Sequence, residues 1–185
     1  MEYFSKGKRG KIYLIKDIAM KKSLAIHTKN EVKFLKILNK YDIGPRLISS
    51  GKDYFKYKFV KGKFILDYFN LNNKNKIKKV MINVLKQCRI LDKLKINKLE
   101  MHNPYKHIII NKKVVMIDFE RCYYTNKPKN VTQFSQFLIS RNVNDIFRKK
   151  KIKINKNNLI KILKVYKKNY SEKEFNNILN IIKKK

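Results

Sequence analysis

Two periodicities divide the chain. Up to about residue 60 the apolar positions fall in short β-rich runs: residues 12–15 and 18–20 are two of them, and Phe55, Tyr57 and Phe59 alternate with Tyr54, Lys56 and Lys58. One helix interrupts these strands. Over residues 28–40, Phe34, Leu35 and Leu38 recur at helical spacing, and the breaker pair Gly44-Pro45 ends the segment. The pattern predicts a small sheet with one helix.

After Gly62 the period changes. Ile77, Val80, Met81, Val84, Leu85, Cys88 and Leu91 keep one apolar stripe for more than three turns, which predicts a long amphipathic helix. Residues 107–110 and 114–117 are β-branched runs around Asn111-Lys112-Lys113, the pattern of a tight hairpin. Past Pro128 the stripe returns, first through Val131, Phe134, Phe137 and Leu138, then over residues 159–166. Ser171 and Glu174 have capping-box spacing ahead of Phe175, Ile178, Leu179 and Ile182, and the lysines at 183–185 are expected to fray. The fold class is therefore α+β. A β-rich part over 1–62, with a connector at 57–62, is followed by a mainly helical part over 63–185 that carries the 107–118 hairpin; two such lobes joined by a strand create a cleft.

Composition narrows the classes. At 185 residues with 43% hydrophobic positions the chain can bury a core, which excludes wholesale disorder. No apolar run is long enough to span a bilayer and residues 1–10 lack a signal-peptide core, so a soluble, cytoplasmic protein without a membrane partner is expected. Cys88 and Cys122 make neither a disulfide framework nor a zinc spacing. The formal charge is +34, yet only six of the 47 basic residues are Arg. A diffuse lysine excess attracts polyanions such as ATP, RNA or DNA without identifying one. The 13 acidic residues are more informative, because Glu31, Asp118 and Glu120 lie inside apolar patterns and Glu100 close to one.

Three constellations could carry chemistry. Ser5, Gly7, Gly10 and Ile12 form S-x-G-x-x-G-x-I just before a strand, where glycines let the backbone approach a phosphate. Ile18-Ala19-Met20-Lys21 matches V-A-I-K on a strand, and Glu31 shares the helix face of Phe34 and Leu35, where a carboxylate needs a cation such as Lys21; the competing reading makes Glu31 the end of a capping box with Thr28. In the hairpin His107 stands opposite Asp118, and a carboxylate ending such apolar strands either pairs with a cation or binds metal.

In this order the motifs resemble the protein-kinase superfamily, and in particular small archaeal predicted Ser/Thr kinases related to the compact RIO-like atypical kinases. The likeness runs from Ser5 to about Glu120 through Ile43-Gly44-Pro45, the hinge-like residues 57–62, Pro104-Tyr105-Lys106-His107 and Asp118-Phe119-Glu120, and extends to Asn130-Val131-Thr132-Gln133-Phe134. It implies a minimal two-lobed fold, with an antiparallel N-lobe sheet plus one helix and a reduced helical C-lobe. It further implies that Lys21 contacts ATP phosphates and pairs with Glu31, that the glycine loop covers the triphosphate, that Phe59 and Val60 offer backbone groups to adenine, and that Asp118 holds Mg2+. The γ-phosphoryl group would pass to Ser or Thr of a protein acceptor or of the chain itself. Where the family has H-x-D and a following Asn, this chain offers Glu100 or His102 as the base and, in the Asn position, His107, either as a second metal ligand or, since Mg2+ prefers oxygen, as a phosphate contact with no second metal. Glu120 stands in place of the usual Gly, which argues against a switchable activation segment. Two alternatives are an ATP-binding pseudokinase or ATPase regulatory subunit, and a basic RNA-binding or ribosome-associated protein.

Overall fold

The computed structural model describes residues 1–184. It is α+β, and its described residues divide into two compact units, one of residues 1–62 with 115–122, the other of residues 63–114 with 123–184.

In the first unit the strands β1 (Glu2–Lys6), β2 (Gly10–Ile15), β3 (Ile18–Ser23), β4 (Leu47–Ser50) and β5 (Tyr54–Lys58) form one antiparallel sheet in the order β1-β2-β3-β5-β4. Helix α1 (Ala25–Asn39) packs on the face that presents Ala19 and Phe55, both buried, through Val32, Leu35 and Leu38. The helix begins three residues before the predicted start. Its N-cap is Leu24, without a side-chain cap, and the Thr28 hydroxyl bonds the Ser23 hydroxyl at 2.9 Å, so the Thr28–Glu31 capping box does not form.

The second unit contains β6 (Lys63–Phe64), α2 (Ile65–Leu71), α3 (Lys74–Lys93), β7 (Ile96–Lys98), a 3-10 turn (Leu99–His102) and β8 (Ile108–Ile110). Two strands, β9 (Val114–Met116) and β10 (Cys122–Tyr124), lie where the chain passes between the units. Helices α4 (Asn130–Leu138), α5 (Arg141–Lys149), α6 (Lys156–Asn169) and α7 (Glu172–Lys183) complete the second unit. The predicted apolar stripe of α3 is its buried face, against which α4 and α7 pack. A polar knot ties these helices. Asp92, on α3, accepts from the Asn130 amide N–H and side-chain amide, the Val131 N–H and the Tyr166 hydroxyl. Burial still holds its carboxyl above the ordinary range.

Asn111 closes the predicted hairpin turn, accepting from the Lys113 N–H at 3.0 Å. Half of the Ser171–Glu174 box forms, since the Ser171 hydroxyl accepts from the Glu174 N–H. The Ser171 N–H turns to Asn169 instead. Helix α7 includes Lys183, and Lys185 lies outside the described residues. No helix among the described residues is long and apolar enough to cross a membrane.

Candidate active site

Strand register sets the first side chain. Lys21 pairs with Ile12 on β2 and with Phe55 on β5, so all three share the face that α1 covers. Its ammonium donates to three carboxylates: Glu31 Oε2 at 2.7 Å, Asp118 Oδ1 at 2.9 Å and Glu120 Oε2 at 3.2 Å. Glu31 faces inward because it falls on the buried stripe of α1, and its other oxygen accepts the Phe119 N–H at 3.1 Å. One carboxylate thus orients Lys21 and anchors the backbone beside Asp118. The adjacent Asn30 amide donates to the carbonyls of Glu120 and Cys122 at 2.7 and 3.0 Å. Arg9, from the glycine loop, donates to Glu120 Oε1 at 3.2 Å.

The segment carrying Asp118 is held in an uncommon shape. Asp118 has φ of 65°, the left-handed region that non-glycine residues enter at a cost. The fully buried Phe119 lies against Gly44, itself at φ 85°, where a Cβ would stand 2.9 Å from the Phe119 ring and 2.7 Å from Leu35. The Ile43-Gly44-Pro45 turn is a seat for Phe119, and the seat requires glycine.

Three of the chain's 13 acidic residues, Glu31, Asp118 and Glu120, converge on the one ammonium of Lys21. Burial works to lower the Lys21 pKa, but the charges of Glu31 and Asp118 outweigh it and hold the ammonium well above its ordinary value. For Glu31, burial raises the carboxyl above its usual range, Lys21 opposes and Asp118 adds to the rise. The Tyr57 hydroxyl is pushed up to about 12, by burial first and then by Glu31. Oxygens of Glu31, Asp118 and Glu120 lie within 4.8 Å of one another, and an all-carboxylate set fits a hard divalent cation such as Mg2+.

The other predicted residues fall as follows. Ser5 pairs with Ile12 across β1 and β2, and the Gly7 N–H to Gly10 carbonyl bond of 2.9 Å closes the loop between those strands. The two glycines differ. A Cβ on Gly10 would stand 2.7 Å from the Lys22 carbonyl oxygen, so strand packing already demands glycine there, whereas at Gly7 nothing lies nearer than 3.8 Å. The Phe59 N–H is not open to an adenine, because it donates to the Asp17 carbonyl at 2.8 Å; Val60 follows, half-buried. In the second unit Glu100 is buried and bonds the fully buried Lys98 at 2.9 Å. His102 is exposed, its Nδ1 2.9 Å from the Leu99 carbonyl, and His107 is half-buried.

Lys21, Glu31 and Asp118 therefore meet in the first unit, while Glu100, His102 and His107 belong to the second. Sequence reading missed Arg9, Asn30, Lys98 and the carboxylate role of Glu120. Glu120 already stood out as a rare acid in an apolar run, and Arg9 as one of six arginines, inside the glycine loop; Asn30 carried no such signal. No family model matches the chain, and no curated protein matches it.

Proposed function

We propose that the chain is a minimal protein-kinase-like phosphotransferase that binds Mg-ATP and passes the γ-phosphoryl group to Ser or Thr of a protein, itself included. The observation that carries this reading is the ammonium of Lys21 between Glu31 and Asp118, at 2.7 and 2.9 Å. Strand β3, helix α1 and the distant segment of Asp118, 97 residues after Lys21, supply these groups in the order in which the kinase superfamily supplies its phosphate-binding lysine, its helix glutamate and its metal-binding aspartate.

Lys21 neutralises charge on the α- and β-phosphates, and Glu31 keeps it aimed. Asp118, the more open of the two acids, with its side chain 32% exposed against 5% for Glu31, is the residue that would hold Mg2+. Bound there, Mg2+ neutralises phosphate charge. Glu120 adds a carboxylate where the superfamily has glycine. Glu100 or His102 would accept the hydroxyl proton.

Labelled phosphate transfer from ATP tests the reading. Transfer should require Mg2+ and vanish in Asp118→Asn, whose circular dichroism should match the parent; labelling that persists in Asp118→Asn rejects it. The buried Lys98–Glu100 pair favours a second reading, nucleotide binding without transfer, since the Lys98 ammonium at 2.9 Å already occupies the carboxylate that would take the proton. In that case Mg-ATP raises the melting temperature while neither ADP nor phosphoprotein forms.

A further inference from the structure

The sheet of the first unit has a second face, turned away from α1, and its register puts lysines side by side. Lys6 pairs with Lys11, and Lys11 with Lys22. Like charges directly opposite one another destabilise a sheet, and here three stand in a row across three strands. The Asp53 carboxylate lies 3.4 Å from Lys22. Two residues along β2 and β3, roughly 7 Å at the usual rise per strand residue, and three along β1 across its register shift, a second row runs from Tyr3 through Tyr13 and Met20 to Lys56. Tyr3 is 57% exposed and meets Tyr13 edge to face, ring centroids 6.0 Å apart. None of the strand residues in these two rows is acidic. Beside the lysine row lies a hollow of about 710 Å³, bounded by the glycine loop, Lys6, Lys11, Tyr13, Lys22 and the start of α1.

A solvated sheet face is ordinarily polar, and lysine is common in this chain, so exposure alone would mean little. The repulsive row is what needs a cause, and an anion with several charges supplies it. The aromatic row narrows the choice, because unpaired bases stack on tyrosine whereas acidic peptides have nothing to stack. We propose that this face binds single-stranded polynucleotide, with phosphates along Lys6, Lys11 and Lys22 and bases against Tyr3 and Tyr13. The inference does not rest on the phosphotransferase reading, and either can fail alone.

Fluorescence anisotropy of the full chain with labelled oligouridine and oligothymidine, titrated over salt, tests it. The Lys6→Ala, Lys11→Ala, Lys22→Ala triple variant should bind at least about tenfold more weakly, its log–log salt slope shallower by about 0.7 for each phosphate that is no longer neutralised. Removing that repulsion should raise its melting temperature, so weaker binding would not come from unfolding. Tyr13→Ala should lose about tenfold and Tyr13→Phe little, since stacking needs the ring and not the hydroxyl. A matched charge loss on α6, Lys161→Ala, Lys164→Ala, Lys168→Ala, should leave affinity within about twofold. An equal loss from that control would show binding to be diffuse charge and overturn the proposal. So would a polyglutamate peptide that competes as well as oligouridine, or affinity unchanged in the sheet variants. Equal affinity for the two oligonucleotides assigns the face to any unpaired strand, and a preference for oligouridine assigns it to RNA.

Discussion

At the scale of single residues, Lys21 is the group on which most depends. Its ammonium is the partner of two nearly buried carboxylates, Glu31 and Glu120, and of the more open Asp118. Lys21→Met would strand those acids, and removing one partner of a buried charge cluster costs about 3–5 kcal/mol. The variant should also respond to pH in an unusual direction. Burial already raises the Glu31 pKa, and without Lys21 it rises further. A carboxyl whose folded pKa lies above its unfolded one favours the folded state while protonated, and that contribution is lost as pH climbs through the folded value. The destabilisation of Lys21→Met should therefore ease as pH falls from neutral, which thermal melts over pH would record; a deficit that deepens on acidification would contradict this. The Lys21–Glu31 pair was legible because acids are scarce and helical spacing put Glu31 on the buried face. The reach of Glu120 and Arg9 to the same place was not, since it depends on the left-handed turn at Asp118 and on a hydrogen bond spanning 111 residues.

Among the elements, the β1–β2 connection separates a glycine needed for the fold from one that is not. Gly10→Ala would drive a Cβ into the Lys22 carbonyl, and an overpacked backbone contact costs about 1–3 kcal/mol. Gly7→Ala meets only an ordinary contact, the Gly10 carbonyl oxygen at 3.8 Å, and should fall within about 0.5 kcal/mol of the parent. Chemical denaturation checks both, and equal costs would refute the distinction. The long helix α3 and the helices after residue 128 were readable because their apolar stripes persist over several turns. Strands β1 and β4 were not. Glu2–Lys6 is nearly all exposed and Leu47–Ser50 has one half-buried position, so neither shows the alternation that marks a half-buried strand. Both are the outer strands of the sheet, paired on one side only. The start of α1 was misjudged because Thr28 and Glu31 have the spacing of a cap, yet both are buried within the helix.

For the molecule as a whole, charge is the dominant quantity. With +34 on 185 residues the folded state repels itself, and added salt screens that repulsion. The melting temperature should climb as sodium chloride rises from about 0.01 to 0.5 M, over which the screening length shrinks from roughly 30 Å to a few ångströms. A melting temperature that falls over this range would mean that the exposed ion pairs outweigh the repulsion. Periodicity conveyed the change from strands to helices near residue 62, but it could not show that residues 115–122 belong with the first sixty-two.

That return has a consequence for how the protein can be divided. A fragment cut after Gly62 would carry Lys21 and Glu31 without Asp118, and the hollow beside Gly44 without the ring that fills it. The smaller unit is thus discontinuous in the gene, and no single excision releases it. Splicing residues 115–122 behind residue 62 through a short linker would restore the missing side chains to one polypeptide.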